Sequence, residues 1–286
     1  MPGYISKALK KFKHPVPTKI QDSPHSWTLP AYGQKTQYAE SEKKSTYVET
    51  GWNHPLPTNN WYTTILPHRS WPYYAGSIGD IAATQAKAIK STRKDIDWLL
   101  DYAASHPDAK VTYRASNMIL RINSDASYLS VPRARSRVGG HFFLSDSTND
   151  SHLNGPIHSL SKILKNVVSS AAEAEITATF ENCKEAVMTR QTLEEMGHPK
   201  PPTSIQVDNS TTHGFVNEKI KIKRTKSIDM RYHWIIDRKQ PGAVLFLPNN
   251  RYWKFGRPSY QTSPPSHHRH MRPIILHDPQ NIKIIQ

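Results

Sequence analysis

Three carboxylates of this chain stand in settings from which a pair of divalent cations can be held. Asp125 follows an apolar run typical of a strand, Glu175 lies near the start of a segment with helical periodicity, and Asp208 follows a second short apolar run. The carboxyl ends of neighbouring strands meet at one edge of a sheet, where α/β proteins commonly bind ligands. Two hard cations held about 4 Å apart by such carboxylates activate water and stabilise a leaving oxygen in phosphodiester hydrolysis.

Each of these carboxylates also has an ordinary structural explanation. An Asp after a strand is a common turn residue, and a Glu in the first turns of a helix is favoured by the helix dipole. The ordered series of strand-end Asp, helix Glu and strand-end Asp favours a metal site over three unrelated structural residues.

The elements that position these residues are predicted from periodicity and from glycine and proline. Residues 171–196 give the clearest helix, and either Ser169 or Ser170 caps its start with Glu173 three or four residues on. The remaining predicted elements are helices at 81–104 and 226–239 and strands at 118–124, 138–144, 157–164, 204–207 and 243–247. This order predicts an α/β fold, a mixed sheet of three antiparallel strands followed by helix-strand units.

The composition indicates a basic protein with loosely organised ends. The net charge is +15, the hydrophobic share is 36%, and prolines recur at both ends of the 286 residues. We expect an irregular segment over 1–80, a folded domain over 81–248 and a polar, disordered tail over 249–286. A surplus of basic charge favours polyanionic partners, above all nucleic acid.

The sequence also argues against several classes of protein. The single cysteine, Cys183, excludes an intrachain disulfide and falls in the apolar stripe of a helix, which favours a core position. No apolar run approaches the roughly 20 residues of a membrane span, and the first residues do not resemble a secretory signal. We therefore expect an intracellular protein, cytoplasmic or nuclear.

Several segments resemble, in order and spacing, the ribonuclease H region of copia-type long-terminal-repeat retrotransposon polyproteins. They are "SDASYLS", "ARSRVGGHFFLS", "LNGPIHSLSKILKNVVSSAAEAEI", "TLEEMGHPKPPTSIQVDNST" and "IKIKRTKSIDMRYHWIIDR", and the likeness covers roughly residues 80–248. The opening "MPGYISKALKKFKHP" resembles the segment that joins reverse transcriptase to ribonuclease H in such polyproteins. The tyrosine and paired aspartates of a polymerase site are absent from the sequence, so we do not expect a polymerase.

The resemblance implies a ribonuclease H-like fold and magnesium-dependent cleavage of the RNA strand in an RNA–DNA hybrid. Asp125, Glu175 and Asp208 match the first three carboxylates of that family's metal site, and Glu173 is the alternative for the second. Glu175 is preferred because it directly precedes Ile176, as the family glutamate precedes a large apolar residue.

The fourth carboxylate that the resemblance implies is replaced here by Arg257, counting back from the tail "PPSHHRHMRP". This charge reversal predicts weaker binding of the second magnesium ion, and a short frameshifted patch over 253–263 is our hypothesis for its origin. Two functions therefore stay open: an active ribonuclease H with three carboxylates, and a catalytically inactive nucleic-acid-binding remnant. A generic basic binding protein does not account for the ordered carboxylates.

Two further groups of residues are candidates for binding. The basic run 219–226 is predicted to contact backbone phosphates through Lys221, Lys223, Arg224 and Lys226, the alternative being an exposed loop. The histidines of "HHRH" at 267–270 are metal-ligand types, but a solvated basic tail is the favoured interpretation.

Overall fold

The computed structural model describes most of the chain from residue 74 onward and a shorter segment near its start. The described residues are 4–27, 74–84, 90–107, 109, 111–131, 133–146, 154–199, 201–207, 210–217, 226–239, 242–248 and 264–275. The helices are α1 Tyr4–Lys11, α2 Ala75–Thr84, α3 Lys90–Ser105, α4 Ala171–Glu195, α5 Ser210–Val216, α6 Lys226–Lys239 and α7 Pro265–Ile275. The strands are β1 Ile119–Val131, β2 Arg135–Ser145, β3 Pro156–Ile163, β4 Thr203–Val207 and β5 Val244–Pro248. None of the helices in these ranges is long and apolar enough to cross a membrane.

The five strands form one mixed sheet in the order β3-β2-β1-β4-β5. The strands β1, β2 and β3 are antiparallel neighbours, whereas β1 with β4 and β4 with β5 run parallel. The parallel pairs are joined through helices, as a parallel connection requires. This arrangement confirms the predicted α/β fold with three antiparallel strands followed by helix-strand units.

Most predicted elements agree with the structure to within a few residues, but the first strand is longer than predicted. β1 was expected to end at Ser124, directly before Asp125, and it continues to Val131. β1 is longer because its antiparallel pairing with β2 extends to Val131, which lies opposite Arg135. Asp125 therefore lies inside a strand rather than in a turn. The helix predicted over 81–104 is two helices, α2 and α3.

One face of the sheet is covered by α4 and forms the main apolar core. Leu120 and Ile122 of β1, Ile205 of β4 and Ile176 of α4 are each at most 1% exposed in this cluster. Cys183 belongs to the same cluster, which confirms its predicted core position, and burial raises the pKa of its thiol. A buried protonated thiol of this kind is chemically inert.

A second, smaller core joins α7 to the two helices that precede the sheet. Tyr74, Leu99, Tyr102 and Met271 pack together, so α7 lies against α3 and the start of α2. The indole Nε1 of Trp98 donates a hydrogen bond to the carbonyl of Ser23 at 3.0 Å, which ties the N-terminal segment to α3.

Two segments that were expected to be irregular thus contain packed helices. α1 lies within 1–80 and α7 lies within the tail 249–286, which was expected to be disordered. Local composition misled here because the partners that order these helices lie far away in sequence. The boundaries at residues 80 and 248 remain predictions.

The histidine tail was also predicted to be solvated, and the structure corrects this for one of its rings. His268 is fully buried in α7, and its Nε2 lies 3.0 Å from Nε2 of the half-buried His25. The Nδ1 of His25 lies 3.2 Å from the carbonyl of Ser26 and is placed to donate to it. Burial lowers the pKa of His268 to about 3 and lowers that of His25 as well, while the neighbouring His267 and Arg272 act on His268 in the same direction. Burial therefore favours the neutral form of both rings in the folded chain.

We predict that acid loosens the contact between the N-terminal segment and α7. The unfolded histidine has a pKa near 6.5, above the folded values, so the stabilisation is complete above pH 6.5 and is lost as the pH falls from there toward 3. Hydrogen exchange of 21–27 and 265–275, corrected for intrinsic rates, should accelerate between pH 6.5 and pH 5. Exchange in α4 serves as the control, and equal protection of the two end segments at both pH values would contradict the prediction.

Candidate metal centre

The parallel pairing of β1 with β4 ends directly before two of the predicted carboxylates in the sequence. Ser124 pairs with Val207 as the last pair of this ladder. Asp125 and Asp208 are the residues that follow these two in the sequence. Asp125 is 6% exposed and is paired with Gly139 of β2 on its other side. Asp208 lies outside the described residues, so its side chain is not placed.

The two sides of β1 differ in character. Ile122 lies in the apolar core under α4, and the Ser124 hydroxyl contacts a side chain of α4. Because successive strand residues point to opposite faces, Asp125 leaves β1 on the other side, together with the buried Asn123. This side of β1 is polar. Asp125 comes directly after Ser124, the last residue of β1 that pairs with β4.

The second predicted carboxylate lies in the first turns of α4, whose start is fixed by a side-chain cap. Ser170 has extended backbone angles, and its Oγ accepts a 3.1 Å hydrogen bond from the Glu173 amide. In return, Glu173 Oε2 accepts hydrogen bonds of 2.7 Å from both the amide and the hydroxyl of Ser169. The predicted cap is therefore confirmed, with Ser170 at the cap position. These bonds engage Glu173 in holding the helix start, which favours Glu175 as the carboxylate for a metal.

Glu175 is 7% exposed and lies on the stripe of α4 that faces the β1–β2 hairpin. Ala178 and Asn182 follow it at spacings of three and seven, which places all three on one side of the helix. Ala178 packs in a small cluster with Ala126 of β1, directly after Asp125. The hydroxyl of Tyr128 in β1 also donates a 3.2 Å hydrogen bond to the Ser169 carbonyl. These contacts join β1 to the start of α4, while Asp125 itself leaves β1 on the side away from α4.

Asn182 is the buried polar anchor of this helix–hairpin contact, and sequence reasoning did not identify it. Its Nδ2 lies 3.0 Å from the Ser124 hydroxyl and 2.9 Å from the Gly139 carbonyl, the neighbour and the partner of Asp125. A Cβ at Gly140 would overlap the Asn182 side chain, so the close approach requires glycine there. The available signal was an amide within an apolar helix stripe, between Phe180 and Cys183.

The other predicted site residues lie outside the described residues or at the edge of a described range. Lys221, Lys223 and Arg224 lie outside the described residues, as does Arg257, while Lys226 is described only as the first residue of α6. Among the residues that the structure does describe, no group of three His, Cys, Asp or Glu side chains is placed to hold a metal ion. The third expected ligand, Asp208, falls in a gap between the described ranges.

We predict that Asn182→Ala destabilises the domain by about 1–3 kcal/mol, because the buried Ser124 hydroxyl and Gly139 carbonyl lose a donor. The free energy of unfolding from urea titration measures this. Gln191→Ala is the matched control, since Gln191 is an exposed amide on the same helix whose bond is to Glu195, and its change should stay within about 0.5 kcal/mol. Equal effects of the two substitutions would contradict the anchoring role.

Comparison with known proteins gives one curated relative with a clear sequence similarity. The chain is 26% identical over 164 residues to the retrovirus-related Pol polyprotein from transposon TNT 1-94 of Nicotiana tabacum. The match covers 57% of this chain and 12% of that polyprotein, so the chain corresponds to a small part of its relative. No protein-family model matches the sequence.

Solved structures give weaker likenesses of the same kind. A ribonuclease H1 isolated from compost, LC11-RNase H1, has a TM-score of 0.36 at 15% identity, over 47% of this chain and 86% of that one. The foamy viral protease-reverse transcriptase in complex with double-stranded DNA has a TM-score of 0.34 at 19% identity, over 47% of this chain and 83% of that one. Both TM-scores are low, so the fold assignment rests on the strand order and directions of the chain itself. By its strand order and directions the chain forms a five-stranded mixed α/β sheet, and by sequence it is similar to a retrotransposon Pol polyprotein.

Proposed function

We propose that this chain is a metal-dependent nuclease that cleaves the RNA strand of an RNA–DNA hybrid. Asp125, Glu175 and Asp208 are the proposed metal ligands, and Mg²⁺ is the proposed ion. The observation that carries the proposal is the register of β1 and β4, which aligns Ser124 with Val207 directly before the two aspartates. The similarity to a retrotransposon Pol polyprotein supports the same reaction.

The donor set fits a hard divalent cation. Carboxylate oxygens are the ligands that Mg²⁺ prefers, and it retains several waters, so three carboxylates are sufficient protein ligands. Asp125 and Glu175 are both nine-tenths buried on a strand and a helix that are bonded to each other, which suits a site that needs fixed ligands. When bound, two such ions activate the attacking water and stabilise the leaving oxygen.

The protein's own contribution is to hold these carboxylates still and to bind the polyanion. Asp125 is held by pairing with Gly139 of β2, and it directly follows Ser124, the last residue of β1 that pairs with β4. Glu175 is fixed by the docking of α4 through Asn182 and by the cap at Ser170. The net charge of +15 favours binding of the hybrid backbone, and Lys221, Lys223, Arg224 and Lys226 are the proposed phosphate contacts.

A second candidate function is a catalytically inactive nucleic-acid-binding remnant. The observation that favours it is Arg257, which stands where the resemblance places a fourth carboxylate. A guanidinium is always protonated and repels a cation, so its presence there weakens binding of a second ion. The two candidates share the fold and the nucleic-acid partner, and they differ in cleavage alone.

We predict magnesium-dependent cleavage of the RNA strand of a hybrid by the native protein and its loss in Asp125→Asn. The expected loss exceeds about 100-fold, because even the outer-shell partners of metal ligands contribute 10–100-fold. Asp97→Asn is the matched control, since Asp97 is a half-exposed carboxylate on α3 that pairs with Arg93. Initial rates of RNA-strand cleavage with end-labelled hybrid measure the effect.

The variant Arg257→Asp separates the two candidate functions. Higher activity of Arg257→Asp than of the native protein would show that the fourth position limits the site. If neither form cleaves the hybrid, and circular dichroism shows both to be folded, the nuclease proposal is wrong and the binding remnant is supported.

A further inference from the structure

We propose that α1 and the segment that follows it, residues 4–20, form a separate contact surface for the phosphate backbone of a nucleic-acid duplex. This inference rests on the proposed function, whose substrate is such a duplex, and it adds a binding surface outside the carboxylate site. We call residues 4–20 the basic arm.

The basic arm carries a concentrated charge of one sign. Residues 1–21 contain no aspartate or glutamate, and all lysines of the arm are exposed: Lys7, Lys10, Lys11, Lys13 and Lys19. The positive charge of the arm is therefore concentrated in this segment, in addition to being part of the net charge of the whole chain. An exposed array of lysines is the kind of surface that displaces counterions from a polyphosphate.

The helix α1 separates its two kinds of residue onto opposite sides. An apolar stripe runs along α1 and the residue after it, at spacings of three, one and three: Ile5, Ala8, Leu9 and Phe12. Ala8 in that stripe is 7% exposed. α1 contacts α3. Lys7, Lys10 and Lys11 follow at spacings of three and one on the other side and are directed to solvent.

The arm is fixed in position by polar contacts to α3 and to the residues just after it. His14 Nε2 lies 2.8 Å from an Asp101 carboxylate oxygen. At the other end, the Gln21 amide donates a 3.1 Å hydrogen bond to the Ser105 hydroxyl, and the His106 ring lies 2.9 Å from the Gln21 carbonyl. Because the arm is held at His14 and directly after its last residue at Gln21, the lysines are presented from an ordered support, which lowers the entropy lost on binding.

A duplex backbone fits this surface better than a membrane does. A basic amphipathic helix binds a lipid surface by inserting its apolar face between the headgroups. The apolar stripe of α1 is partly covered, since Ala8 is buried, Ile5, Leu9 and Phe12 are half-buried and α1 contacts α3, whereas its lysines are exposed. A lysine carries its charge at the end of a flexible side chain. Such side chains suit the repeated single charges of backbone phosphates and require no particular base sequence.

The arm is also linked to the sheet that carries the candidate metal site. α3 packs against α2, and Asp80 of α2 forms an ion pair with the buried Arg137 of β2. Arg137 lies two residues from Gly139, the partner of Asp125. A duplex bound along the arm is therefore held by the same rigid assembly as the carboxylates.

The test is the salt dependence of binding to an RNA–DNA hybrid, measured by fluorescence anisotropy without divalent metal. The variant Lys7→Gln/Lys10→Gln should bind more weakly, and the slope of log affinity against log salt should fall by up to about 1.8, at about 0.9 per phosphate contact on a B-form duplex. Glutamine has nearly the helix propensity of lysine, so α1 is retained. The matched control is Lys162→Gln/Lys184→Gln, which removes the same charge from two lysines that pair with Glu181.

The outcomes separate this inference from the proposed nuclease activity. A smaller slope in the arm variant alone supports the arm as a phosphate-binding surface, whether or not the native protein cleaves the hybrid. Equal changes in the arm variant and the control would show an effect of net charge and overturn the inference. An unchanged slope in the arm variant, or no binding by the native protein at low salt, would also overturn it.

Discussion

The pairing of β1 on both sides is the constraint on which the rest of the structure depends. Antiparallel pairing with β2 and parallel pairing with β4 fix the register of β1 twice. A shift by one residue would turn Ile122 out of the core and Asp125 into it, because neighbouring strand residues face opposite sides. The same register sets the end of the β4 ladder at Val207, so the location of the candidate metal site follows from the strand pairing.

Buried polar contacts then attach the helices to this sheet at defined points. Asn182 joins α4 to Ser124 and Gly139, while Arg137 joins β2 to α2 through Asp80 and the Gly76 carbonyl. Groups of this kind are costly to bury unless they are bonded, so each contact is strongly position-specific. The apolar core supplies the driving force, and these bonds select one arrangement of the helices on the sheet.

The sequence was most informative where the determining interactions are local. The cap of α4 was predictable because Ser170 and Glu173 are three residues apart, and the mixed sheet of three antiparallel strands followed by helix-strand units was predicted from the series of elements. The extent of β1 was not predictable, since it depends on its pairing with β2. The burial of His268 was missed because His25 lies far from it in sequence, and Asn182 was missed because its partners are on other elements. Asp125 and Glu175 stay predictions from their order and from the family resemblance, and the structure adds the contacts between β1 and α4.

The most direct test of the account is a calorimetric titration of the native protein with Mn²⁺, a hard divalent cation that binds carboxylate sites, alongside Asp125→Asn and Asp97→Asn. The account predicts saturable binding by the native protein and by Asp97→Asn, and at least a tenfold weaker affinity for Asp125→Asn. Equal affinities for all three proteins, or no saturable binding by the folded native protein, would show that the carboxylates at the β1–β4 junction do not form a metal centre.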